Sequence, residues 1–138
     1  MKIVIAVDSF KGSMRSEEAG EIIAGGLREG LIDAEIVVIP MADGGEGTTD
    51  AVIRATGGEW RSEVVTGPLG DPVTAEFGVL PGGRTAVMEM ASASGIELVP
   101  AGNLDPMKAT TYGTGELMRA AIENGVREII LGIGGSAT

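Results

Sequence analysis

Lys2-Ile3-Val4-Ile5-Ala6-Val7 is a short apolar run, rich in β-branched residues, that stops at Asp8. A run of that length and composition reads as a strand of a parallel sheet, buried on both faces. Ser16, with Glu17 and Glu18 behind it, then starts a helix: the hydroxyl caps free N–H groups and the acids oppose the dipole. Ala19, Ile22, Ile23, Gly26 and Leu27 recur at helical spacing and are expected to face the sheet. Ala34 to Ile39 is a second buried-type strand, stopped by Pro40. After the Met41–Gly47 loop a helix runs from about Thr48 to Ala55. Strand, loop and helix, given twice, are the opening of a doubly wound α/β layer.

After Gly57-Gly58 the pattern changes. Trp60 to Thr66 and Val73 to Leu80 alternate polar and apolar residues around the turn-rich Gly67–Pro72 segment, as an antiparallel pair with one exposed face does. Thr85 to Met90 reads as a further strand leading into Ala91-Ser92-Ala93-Ser94-Gly95. A helix is expected from near Thr114, with Leu117, Met118, Ala121 and Ile122 on one face, ending at Asn124-Gly125. Glu128 to Ile133 is then a strand. The change of period puts a domain boundary near Gly67, dividing residues 1–66 from 67–138. A buried-type strand that runs into Gly134-Gly135-Ser136-Ala137-Thr138 calls for a covering helix, so the chain is expected to be the first part of a longer one.

Composition narrows the chemistry. Among 138 residues there are 23 glycines, no cysteine and no histidine. Thiolate metal sites, cysteine nucleophiles and imidazole bases are therefore excluded, and carboxylates, hydroxyls, a few cations and backbone amides remain. The net charge of −10 and the scattered basic residues argue against nucleic acid and against an anionic membrane surface. A soluble cytoplasmic protein is the expectation.

Chemistry in an α/β sheet gathers beyond the carboxyl ends of the strands, and the loops there are unusual. Asp8-Ser9-Phe10-Lys11-Gly12-Ser13 puts an acid, two hydroxyls and a lysine beside a helix start, which already attracts anions. A capped, solvated turn would account for it equally well. In Asp43-Gly44-Gly45-Glu46-Gly47-Thr48 the glycines allow close approach of a ligand, and the two carboxylates could hold Mg²⁺ or accept a hydroxyl proton. Glu89 is a further carboxylate, or else a cap for the turn after it. Thr110–Gly115 and Gly132–Thr138 combine small residues with hydroxyls, as phosphate nests do. Neither is a P-loop. Gly132-x-Gly134-x-x-Ala137 meets a relaxed dinucleotide fingerprint, with structural glycines at a strand exit as the plainer account.

Taken in order, Asp8–Ser13, Pro40–Thr48, Thr66-Gly67-Pro68-Leu69-Gly70, Glu89–Gly95, Thr110–Leu117 and Gly132–Thr138 resemble the N-terminal part of bacterial glycerate kinases, over essentially the whole chain. Val7 stands where that family usually has proline. The resemblance implies a flavodoxin-like α/β domain built from both chain ends, with a second, mixed-sheet α/β domain inserted. It implies ATP-dependent phosphorylation of D-glycerate, with ATP and Mg²⁺ as cofactors; a homo-oligomer is a possible state, since apolar surface where further segments would pack favours self-association.

On that footing, residues around Gly113-Thr114-Gly115 and Gly134-Gly135-Ser136 are expected to hold nucleotide phosphates. Lys11 would offset negative charge. Asp43, with Asp8 and Glu46 as alternates, would orient or deprotonate the attacking hydroxyl, and Asp43 and Glu46 are the candidate metal ligands. Ser9, Phe10, Gly44, Gly45, Glu46 and Glu89 would shape the substrate pocket. Phosphoryl transfer is mostly positioning and charge neutralisation, which a chain without histidine can supply. A nicotinamide-dependent oxidoreductase using Gly132–Ala137, and a non-catalytic anion-binding fragment, are the alternatives.

Overall fold

The N-terminal apolar run forms β1 (Lys2–Val7), which leads through α1 (Ser16–Gly30) to β2 (Glu35–Pro40). These elements belong to a computed structural model that describes residues 1–10, 13–30 and 33–138. The chain is α/β throughout and divides into two compact units, Met1–Asp43 and Gly44–Thr138.

In the first unit β1 and β2 pair in parallel, from Lys2 opposite Glu35 to Val7 opposite Pro40. The helix meets this sheet through small residues: Ala19, Gly20 and Ala24 are the buried ones. A Cβ on Gly20 would run into the side chain of Val38, so only glycine allows that approach. Two expectations fail here. Ile22 and Ile23 face outward, because close packing selects the small-residue stripe instead. The strands are also not buried on both faces: Val4 is 53 % exposed and Ile39 46 %. Within this unit a single helix covers one face of two strands.

The second unit holds α2 (Thr48–Thr56), β3 (Glu59–Thr66), β4 (Pro72–Val79), β5 (Thr85–Glu89), α3 (Met90–Ser94), α4 (Tyr112–Glu123) and β6 (Glu128–Gly132). Its sheet runs β3-β4-β5-β6. The first three strands are antiparallel neighbours and β6 lies parallel to β5. Val65, Ala75, Phe77, Ala86 and Met88 from the sheet pack with Ala93, Leu117, Ala121 and Val126 to form the core. Leu117 and Ala121 of α4 are buried as the helical spacing requires, whereas Ile122 is exposed. That helix begins at Tyr112, a little before the expected start.

The division expected at Gly67 falls inside the β3–β4 hairpin, where Thr66 pairs with Pro72. The two compact units part after Asp43 instead. Within the second unit α2 packs on β4 and β5. Its Ile53 occupies the space that a side chain on Gly58 or Gly78 would need. Gly57, at φ 76°, ends the helix in the left-handed conformation and returns its N–H to the Ile53 carbonyl. No helix among the described residues is long and apolar enough to cross a membrane.

Candidate active site

The parallel strands β5 and β6 end side by side, with Glu89 opposite Gly132. Both chains then leave the sheet at the edge where α/β proteins bind ligands. Glu89 is the N-cap residue of α3, but its side chain makes no cap hydrogen bond there. Its Oε1 accepts the backbone N–H of Thr49 at 2.6 Å, at the start of α2. Glu89 thus supplies, from 40 residues away, an acceptor that the first turn of α2 lacks in its own cap.

The Gly44–Thr48 loop lies against the exit of β6. Gly134 donates its N–H to the Gly44 carbonyl at 2.9 Å. A Cβ on Gly134 would sit 2.8 Å from Gly45 Cα, and one on Gly132 would strike the Gly44 carbonyl. Thr48 closes the loop by accepting the Gly44 N–H on Oγ1 at 3.1 Å. Gly44 and Gly47 hold φ values of 93° and 89°, which side-chain-bearing residues rarely adopt. The Gly132 and Gly134 spacing is therefore explained by the close approach of two loops.

The segment after β5 joins the two hydroxyl-rich loops. Ser94 and Thr114 share a hydrogen bond of 2.9 Å between their hydroxyls, both buried. Ala137 donates its N–H to the Ser94 carbonyl and Ile96 donates to the Gly135 carbonyl, each at 2.9 Å. Thr114 and Gly115 donate their amides to the Thr111 carbonyl at 3.1 and 3.4 Å. The Thr114 hydroxyl is thus paired inside the fold, and Gly115 is exposed. Gly135 and Ser136, by contrast, have backbone N–H groups that find no acceptor among the described residues. The Ser136 hydroxyl lies 2.6 Å from that of Thr138.

The α4 end is fastened to β3. Thr66 donates its N–H to Glu116 Oε2 at 2.7 Å, and Thr110 donates to the Pro68 carbonyl at 3.0 Å. Gly113 packs on the Thr66 carbonyl with no space for a side chain. The Thr66 N–H holds the Glu116 carboxyl below its ordinary range. A shallow cavity of about 220 Å³ adjoins this joint, lined by Val64, Val65, Thr66, Gly70, Pro72 and Glu116.

In the first unit, the loops after β1 and β2 leave the same end of the parallel pair, and Met41 donates its N–H to the Val7 carbonyl at 3.2 Å. Asp8, Ser9 and Phe10 are exposed, and Asp8 Oδ1 accepts the Ser9 N–H at 2.7 Å. Phe10 and Met14 form an isolated antiparallel bridge, in which the Phe10 N–H donates to the Met14 carbonyl at 2.8 Å. Lys11 lies outside the described residues. Asp43 and Glu46 are exposed. No group of three or more acidic residues suited to a metal ion occurs among the described residues.

Six loops in this order match a known family. Residues 3–138 fit the model of the glycerate kinase family. The chain belongs to that family. It is 54% identical over 138 residues to the glycerate 2-kinase of Escherichia coli K12 and 52% identical to the glycerate kinase of Bacillus subtilis 168. Each alignment covers 100% of this chain and 36% of the relative, so the chain spans about a third of the relatives' length. A crystal structure of a candidate glycerate kinase 2 from Salmonella typhimurium LT2 is 51% identical, with a TM-score of 0.74 over 99% of this chain and 37% of that one.

The Gly132 and Gly134 spacing thus needs no dinucleotide to account for it. Sequence reasoning did not single out Thr49, Ser94 or Glu116, whose hydrogen bonds tie these segments together. Ser94 and Glu116 lay inside the quoted motifs. Nothing in the sequence ties Thr49 to Glu89.

Proposed function

We propose that the protein carrying this chain transfers the γ-phosphoryl group of ATP to D-glycerate. The observation that carries the reading is the gathering of the Gly44–Thr48, Glu89–Ile96 and Gly132–Thr138 loops at the ends of β5 and β6, in a chain of the glycerate kinase family. The open Gly135 and Ser136 amides, with the Ser136 hydroxyl, bind phosphate oxygens. Gly115 lets a phosphate approach the start of α4, whose dipole favours the charge. Gly113, Thr114 and Gly134 set the shape of these loops.

The glycerate hydroxyl oxygen attacks the γ-phosphorus and forms the new P–O bond. The bond from that phosphorus to the β-phosphate oxygen breaks, and ADP leaves with the electron pair. The hydroxyl proton passes to a carboxylate. Asp43 takes that role in this reading, with Asp8 and Glu46 as its alternates. Lys11 balances charge, and this reading gives Ser9 and Phe10 of the first unit, and Gly44, Gly45 and Glu46 of the second, to binding glycerate. Glu89 acts indirectly, by holding α2 and so the loop before it.

The donor set is one of hard carboxylate oxygens, with no thiol or imidazole in the chain, which suits Mg²⁺. Glu46, or Asp43 where another carboxylate takes the proton, would hold it together with phosphate oxygens and water. When bound, the ion neutralises charge on the β- and γ-phosphates. Dependence on ATP makes the cytoplasm the expected compartment.

The test is ADP release by the full encoded protein with ATP, Mg²⁺ and D-glycerate. The reading expects a rate at least about a hundredfold above that without glycerate, since the acceptor hydroxyl is a reactant. Equal rates with and without glycerate overturn it, as does glycerate-dependent reduction of NAD⁺ without ATP consumption.

A further inference from the structure

Ser94 is the residue at which the two hydroxyl-rich loops meet. Its side chain is fully buried, and its hydroxyl lies 2.9 Å from that of Thr114, 20 residues on. Its carbonyl accepts the Ala137 N–H at 2.9 Å. One residue later, Gly95 and Ser136 form an antiparallel bridge, completed by the Ile96 N–H on the Gly135 carbonyl. The geometry around this joint is tight. A Cβ on Gly95 would strike the Ala91 backbone, and Gly135, at φ 72°, has Ala91 Cβ at 3.2 Å from its own Cβ position. One hydroxyl of the pair must donate and the other accept, so loss of either leaves a buried polar group without its partner.

We infer that Ser94 is a positioning residue for the nucleotide's phosphates: it fixes the spacing between the first turn of α4 and the Gly135–Thr138 loop. The inference rests on the kinase reading above. Ser94 is buried and touches no phosphate itself. Its side chain holds one loop and its main chain holds the other. A polyphosphate that contacts both loops therefore depends on a residue that neither loop contains. The pair also explains why Thr114 can matter to nucleotide binding although its hydroxyl is turned inward.

The test is a double-mutant cycle in the full encoded protein, with Ser94→Ala, Thr114→Val and the two combined. Two readouts are taken: KM for ATP against kcat, and hydrogen–deuterium exchange of peptides spanning residues 111–117 and 133–138. Each single variant should raise KM for ATP about tenfold and leave kcat within about threefold. The double variant should also stand near tenfold, because the same hydrogen bond is lost once. Exchange should rise in both peptides and stay unchanged across the β3–β4 hairpin. An unchanged KM in Ser94→Ala overturns the inference, as does a hundredfold rise in the double variant. If Ser94→Ala does not fold, Thr114→Val removes the same bond with a side chain of similar shape. Unchanged exchange at 133–138 in that variant then overturns the coupling. Parent protein that shows no glycerate-dependent ADP release refutes the kinase reading, and the exchange arm still decides whether Ser94 couples the two loops.

Discussion

The carboxylate of Glu89, at the end of β5, accepts the backbone N–H of Thr49, in the first turn of α2, at 2.6 Å. Glu89 is 8 % exposed and Thr49 2 %, so water competes little for this bond. A charged acceptor at a helix start is also favoured by the dipole. Glu89→Ala should therefore cost about 1–3 kcal/mol, read as a lower urea midpoint with unchanged slope. Glu89→Gln keeps an acceptor and should lose less. The Thr49 hydroxyl has no hydrogen-bond partner among the described residues, so Thr49→Val should be neutral or stabilising by up to about 1 kcal/mol. Parent-like stability in Glu89→Ala would show that the bond carries nothing.

Two glycines at the start of α4 should behave in opposite ways. Gly113 lies on the Thr66 carbonyl, and Gly113→Ala should cost about 1–3 kcal/mol through overpacking. A Cβ on Gly115 meets nothing within 4 Å, so Gly115→Ala should gain up to about 1 kcal/mol of helix propensity. The same substitution should raise KM for ATP, because the new methyl stands where phosphate approaches. Thermal melts and ATP titrations on the two variants separate these effects.

Glu116 predicts a pH dependence. Its carboxyl is held below the ordinary value of 4.5, chiefly by the Thr66 N–H. A depressed folded-state pKa gives stability that is present above the unfolded value and is lost as pH falls through the folded one. The melting temperature of the parent should exceed that of Glu116→Gln by a constant margin above about pH 5, and the margin should close on acidification. A margin that widens in acid contradicts the assignment.

In the proposed mechanism Asp43 accepts the hydroxyl proton. Asp43→Ala in the full encoded protein should lower kcat by about 10²–10⁴-fold while the melting temperature holds, as loss of a general base does. Near-parental turnover would remove Asp43 from the proton transfer and direct attention to Asp8.

Much of this arrangement was legible in the sequence because it is local. The β3–β4 hairpin follows from alternation on either side of Gly67–Pro72, and Ser16, Glu17 and Glu18 mark the start of α1. What was not legible depends on partners far along the chain. The helix at Thr48–Thr56 reads as part of the first βα layer until Ile53 is seen to fit over Gly78, 25 residues away. Ile22 and Ile23 suggest a buried face by hydrophobicity alone, yet Gly20 permits a closer approach on a different side of α1. Glu89 reads as a ligand or a local cap. Only the fold brings Thr49 to it. The loops of the site were recognisable by composition, whereas the hydrogen bonds that hold them to one another had no signature in composition or spacing.

The most direct test of the central claim follows the phosphorus atom itself. Full encoded protein, ATP, Mg²⁺ and D-glycerate are combined and monitored by ³¹P NMR. The γ-phosphate resonance of ATP should give way to a phosphate monoester resonance coupled to a glycerate proton, in step with formation of ADP. Release of inorganic phosphate without the monoester, or ATP left intact beside glycerate, would contradict the account.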